Sequence, residues 1–156
     1  MKLPKQLVEE NVESDVRLVL EKERIPLYSD SNFFIPVLQL NPELAEQLYR
    51  AKFLGELTVS YWAVERTLEN ELHGLQNVNN KSDRVSRLLI VTNDGSPRFY
   101  RQIEFLHKKQ GGRVLICRLD IDSLLMGNIL KLKDKQVKAV LLNRKESVVN
   151  VLKSLL

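Results

Sequence analysis

One cysteine, Cys117, stands in the 156 residues. An intrachain disulfide and a cysteine-based metal site are therefore both excluded. No apolar run approaches the roughly 18 residues needed to span a bilayer. The start of the chain, Met1 to Leu7, lacks the apolar core of a signal peptide and soon meets Glu9 and Glu10. These absences point to a cytoplasmic protein. Neither Gly-x-Gly-x-x-Gly nor the Walker Gly-Lys-Ser/Thr occurs, so no cofactor is implied. Histidine is scarce: His73 and His107 fall on helix ends or polar faces. Ser96 has no evident base partner, and Cys117 lies within an apolar run, where a thiol acts as a small hydrophobe. Nucleophilic catalysis has little support, and the chain reads as a non-enzyme.

What is present is ordinary in amount and uneven in placement. Hydrophobic residues make up 44% and charged residues 28%, as in soluble globular proteins. The length suits one domain, or one domain with an arm. Residues 1–80 hold 8 Lys/Arg against 13 Asp/Glu, net −5, whereas residues 81–156 hold 16 against 7, net +9. A basic half joined to an acidic half suggests a polyanion partner, although solvated helix faces also account for such charges.

Residues 1–40 read as an N-terminal arm or extension. Val16–Leu20 suits a weak helix or a strand, and Phe33–Leu40 is extended, with Pro36 arguing for a sheet edge. The aromatic pair Phe33 and Phe34 packs on the domain or contacts a protein partner.

Residues 41–156 form the α/β domain. Asn41-Pro42 opens a helix that Gly55 closes as a left-handed cap. Leu57-Thr58-Val59 links it to a second helix near Ser60–Leu72, with Ser60 as its cap. Leu75–Ser86, rich in Asn and Ser, is a loop. Leu88–Val91 is an apolar run expected of a buried strand, followed by the turn Asn93-Asp94-Gly95 and a helix capped by Ser96 and begun by Pro97. Arg113–Leu119 is a second strand, Asp120–Leu130 a short helix closed near Gly127, Val137–Leu142 a third strand and Ser147–Leu156 a last helix. This alternation predicts a three-layer α/β/α sandwich around a central, mostly parallel sheet.

Three constellations bear on chemistry. Asp120 and Asp122 follow a strand, where carboxylates hold metals or cap helices, but no glutamate completes a magnesium site. Asn93–Ser96 opens a helix whose free N–H groups suit a phosphate. Arg98, Arg101 and Lys108 share one side of a helix, Lys131, Lys133 and Lys135 crowd one loop, and Arg144-Lys145 begin another. If these surfaces converge, they suit a nucleic-acid backbone.

The order of elements resembles the L7Ae/L30e family of small RNA-binding proteins, including its bacterial YlxQ-like members. The likeness spans roughly residues 44–156. It is carried by Ala51-Lys52-Phe53-Leu54-Gly55-Glu56-Leu57, by Ser60-Tyr61-Trp62-Ala63-Val64, by Leu88–Pro97 and by Leu125-Met126-Gly127-Asn128-Ile129. The resemblance implies a non-catalytic, ribosome-associated or RNA-metabolic module. Ser60, Tyr61 and Trp62 replace the family's glycine and its polar partners, and Arg66 stands where a basic residue is expected. Tyr61 and Trp62 then either stack on exposed bases or are core aromatics. The expected RNA surface comprises Ser60, Tyr61, Trp62, Arg66, Asn93, Asp94, Ser96, Arg98, Arg101, Arg144 and Lys145. The alternatives are a protein-interaction scaffold on the same fold, and an enzyme taking a phosphorylated ligand at Asn93–Ser96.

Overall fold

The computed structural model describes residues 1–76 and 82–156. Its elements are α1 (Lys5–Glu9), α2 (Glu13–Lys22), β1 (Arg24–Pro26), β2 (Phe34–Leu38), α3 (Pro42–Phe53), β3 (Leu57–Val59), α4 (Tyr61–Leu75), β4 (Arg87–Val91), α5 (Pro97–Gln110), β5 (Val114–Leu119), α6 (Ser123–Ile129), β6 (Ala139–Leu142) and α7 (Lys145–Lys153). One six-stranded sheet runs in the order β1-β2-β5-β4-β6-β3. Of the loop expected over Leu75–Ser86, residues 77–81 lie outside the described residues.

The central strands are apolar but for Arg87 and Arg118, because both faces of the sheet are covered. Leu88 and Ile90 of β4 join one core cluster, with Leu44, Leu48, Met126 and Val148 from helices. Leu89 and Val91 join the other, with Val64, Leu68, Phe99 and Ile103 from α4 and α5. Alternate residues of one strand thus serve opposite cores. Cys117 is fully buried in β5, and burial pushes its thiol well above the usual range.

Local signals account for several boundaries. Asn41 accepts a hydrogen bond from the Leu44 N–H at 2.7 Å, and Ser96 accepts one from Phe99 at 3.1 Å; each cap is followed by a proline in the first turn. Gly55 has φ +73°. It donates to the Lys52 carbonyl while Glu56 donates to Ala51, the paired bonds of a Schellman closure.

The sheet is mixed, where alternation predicts one that is mostly parallel. β2, β5 and β4 run parallel, but β6 is antiparallel to β4, β3 to β6 and β1 to β2. The cause lies in α6. A parallel return needs a crossover that carries the chain back along the sheet. The seven-residue α6 covers only about 10 Å, and the loop after it doubles back, so that the Val137 N–H donates to the Ser123 carbonyl at 2.9 Å. β6 therefore starts at the end where β5 finished. Leu57–Val59, expected as a link, is the edge strand β3.

Residues 1–40 are woven into this sheet. β2 lies between β1 and β5 rather than at the edge, and Leu3, Leu7, Val16, Leu20 and Leu38 are buried in the main core. Pro36 still marks a boundary. β2 pairs with β5 only through Val37 and Leu38, beyond the proline, which has no N–H to give. Val16–Leu20 is helical, within α2.

Candidate nucleic-acid interface

The antiparallel course of β6 decides which basic residues meet. β3, β4 and β5 finish at one end of the sheet, and β6 begins there. Ser60 donates its N–H to the Ala139 carbonyl at 3.2 Å, and Thr92 donates to the Lys138 carbonyl at 3.0 Å. Lys138 thus sits between the start of α4 and the turn before α5. Ser60, Tyr61, Trp62, Arg66, Asn93, Asp94, Ser96, Arg98 and Arg101 all belong to this end or to the first two turns of the helices rising from it.

Arg144 and Lys145 do not. They follow Leu142, which pairs with Leu57 and Leu88 at the opposite end of the sheet. A parallel β6 would have brought them to the other basic residues; the antiparallel one takes them away. It brings the Lys131–Lys138 loop in their place. Lys138 was hidden in the sequence by its apparent membership of the strand Val137–Leu142, whereas β6 starts one residue later.

Ser60 does not cap α4. Its φ is +80° and ψ 145°, and its side chain makes no capping bond. For a residue with a Cβ this region is strained; glycine occupies it freely.

The aromatic pair divides. Tyr61 is half-buried, edge-on to Phe99 at 6.2 Å, and donates its hydroxyl to Glu65 at 2.7 Å. Burial first, then Glu65, pushes the phenol far above its ordinary range. Trp62 is 67% exposed, with the Arg66 guanidinium 5.3 Å from its ring centroid. Such a cation–π contact holds the indole at the surface with one face covered.

The polar residues of the next turn are engaged within the fold. The Asp94 carboxylate accepts from Thr92 Oγ1 at 2.8 Å, from Ser123 Oγ at 2.7 Å and from the Ser123 N–H at 3.1 Å. Burial pushes this carboxyl up, but the bonds from Ser123 and Thr92 outweigh it and hold it below the usual range. Tyr100 secures the same turn, its hydroxyl donating to the Thr92 carbonyl at 2.7 Å and accepting from Gly95 at 2.9 Å. Asn93 donates to Asp120 at 3.1 Å, and Asp122 caps α6 by accepting from Leu125 at 2.8 Å. No group of three potential metal ligands occurs among the described residues.

The cations are less committed. Among the described residues, Arg66, Arg98, Arg101, Lys133, Lys135 and Lys138 enter no ion pair, and all six are exposed. Glu65, Asp94, Asp120 and Asp122 share this end, each already hydrogen-bonded. The arrangement offers phosphate-binding charge beside one exposed indole, on a hydrogen-bonded turn.

The second aromatic pair also divides. Phe33 stacks on His107 with centroids 4.1 Å apart, and Phe34 is 48% exposed. No described helix is long and apolar enough to cross a membrane. A scan against protein-family models matches none of them, and a search of curated proteins finds no match.

Proposed function

We propose that this chain is a non-catalytic RNA-binding module of the L7Ae/L30e kind, with helices in two layers around the sheet. Its RNA surface is the end of the sheet where α4 and α5 begin. The observation that carries the reading is the group of exposed cations, without ion pairs among the described residues, at the end of the sheet that also bears the exposed indole of Trp62. Two features support the family likeness. The elements from α3 to α7 follow the order on which the resemblance rests. Ser60, standing where the family has glycine, adopts a backbone conformation that glycine favours. In this reading Arg98, Lys138 and the Lys133–Lys135 loop neutralise phosphates, and Trp62 stacks on an unpaired base. Asp94 and Ser96 hold the turn that presents Arg98.

The test is a gel shift with total cellular RNA at two salt concentrations, with double-stranded DNA as competitor. Combined Arg98→Glu and Lys138→Glu should weaken binding at least about tenfold and flatten its salt slope by about one per lost phosphate contact. Trp62→Ala should cost about 1–3 kcal/mol of binding. Arg144→Glu with Lys145→Glu, at the far end of the sheet, should leave binding unchanged. Absence of RNA binding at low salt, or equal binding by the charge-reversed protein, refutes the proposal. The scaffold reading then takes over, with Phe34 as the exposed aromatic that a protein partner would cover.

A further inference from the structure

A second basic feature lies on the other flank of α5 from α4. The connection from β1 to β2 folds over the helix and is fastened there by Glu104, which accepts from Tyr28 Oη at 2.9 Å and from Ser31 Oγ at 2.6 Å. Between this connection and the start of α5 is a cavity of about 550 Å³. Its apolar wall is Pro26, Leu27, the Tyr28 ring and Pro97, and its charged lining is Arg101 and Arg118. Among the described residues no carboxylate lines it.

The polar side chains of the walls are Ser29, Tyr28, Tyr100 and the two arginines. The Tyr100 hydroxyl is spent on Thr92 and Gly95, and that of Tyr28 on Glu104. Arg101 is exposed and enters no ion pair among the described residues. The Arg118 side chain is 29% exposed; its Nη2 forms a long ion pair with Asp120 at 3.7 Å, beyond hydrogen-bond distance, and its buried Nε has no partner among the described residues. Two guanidinium forks facing a cavity without carboxylates suit an acceptor-only group, and phosphate matches their geometry. The volume falls within the range of about 300–1,000 Å³ typical of small-molecule sites. The Pro, Leu and Tyr wall suits a flat apolar body.

We infer that the cavity between the β1–β2 connection and α5 binds a small phosphate monoester with a flat body, of which a nucleoside monophosphate is the simplest case. Arg101 and Arg118 hold the phosphate, and Pro26, Leu27 and Tyr28 cover the base. The cavity shares Arg101 with the cations of the proposed RNA surface, whereas Arg118 and the apolar wall belong to the cavity alone.

The test is titration calorimetry of the full chain with adenosine 5′-monophosphate, adenosine and inorganic phosphate. The monophosphate should bind at least about tenfold more tightly than either fragment, a difference of about 1.4 kcal/mol. Arg101→Gln, an exposed change that leaves the fold intact, should lower its affinity about tenfold or more, whereas Arg50→Gln on α3, across the sheet, should not. Arg118→Gln should act in the same direction, with circular dichroism confirming its fold. Absence of heat at millimolar monophosphate overturns the inference, as does equal binding by Arg101→Gln. Equal affinity for adenosine overturns the role of the arginines, and equal affinity for inorganic phosphate overturns that of the apolar wall.

Discussion

Gly127→Ala sets two effects of opposite sign against each other. Gly127 lies inside α6 rather than at its end, and an interior alanine is better than glycine by about 0.8–1.0 kcal/mol. Helix propensity alone makes the change stabilising. An added Cβ, however, would fall onto the Lys135 carbonyl oxygen, 3.1 Å from the carbonyl carbon and 3.5 Å from the Leu132 oxygen. These are backbone atoms, so no side-chain rotation relieves the overlap. The loop must lift off the helix. That strains the bonds from Leu132 N–H to Gly127 and from Val137 N–H to Ser123, both 2.9 Å, at about 1 kcal/mol each. It also loosens the packing of buried Val137 and half-buried Leu132, for about 1–2 kcal/mol more. The losses exceed the propensity gain by about 2–3 kcal/mol. With a urea dependence of about 2 kcal/mol per molar, the unfolding midpoint should fall by about 1 M. Gly74→Ala is the control: no described atom lies within 4 Å of its added Cβ, and the midpoint should hold or rise. A midpoint for Gly127→Ala equal to or above that of the parent would refute the close approach of loop to helix.

Asp94→Ala should cost about 1–2 kcal/mol at pH 7, discounted for the partial exposure of the carboxylate. Because the folded carboxyl titrates below its unfolded value of about 3.9, its contribution is present above that pH and lost as pH falls through the folded value. Urea melts of parent and variant should therefore converge below about pH 4; a constant gap would remove the charge from the account. Ser60→Gly relieves a positive φ at some cost in chain entropy and should stabilise by about 1 kcal/mol in a thermal melt, whereas a drop in melting temperature would show that the Ser60 side chain contributes more than the strain costs. The RNA gel shift with its far-end control and the calorimetry of Arg101→Gln complete the set.

Local chemistry was legible in the sequence. Asn41-Pro42 and Ser96-Pro97 announce helix starts because cap and first-turn proline are adjacent in the chain. Leu88–Val91 and Val114–Cys117 announce buried strands because continuous apolar runs bounded by polar residues fit little else. Direction was not legible. Ala139–Leu142 has four buried residues and no polar alternation, so nothing in it says which way it runs, and the position of Arg144 and Lys145 depended on that alone. The place of Phe34–Leu38 in the sheet was equally hidden, since its neighbour β5 is remote in the chain. The Ser60 conformation was invisible because serine is an unremarkable residue at a helix start, and its positive φ goes with a backbone bond to Ala139, which is remote in the chain.

The weaving of β2 into the sheet bears on how the protein is made. Leu38 pairs with Leu119, and Val59 with Val140. Each early strand thus waits for a partner about 80 residues further along. At roughly 5–20 residues per second, that is a delay of about 4–16 s on the ribosome. Throughout it β2 has only the three-residue β1 to pair with, Ile35 opposite Ile25, and its other edge stays open. Vectorial folding from the amino terminus is closed to this topology, and the nascent chain holds an apolar strand in reserve until β5 emerges. A holding chaperone would find its substrate in that interval, in a segment that the finished protein buries.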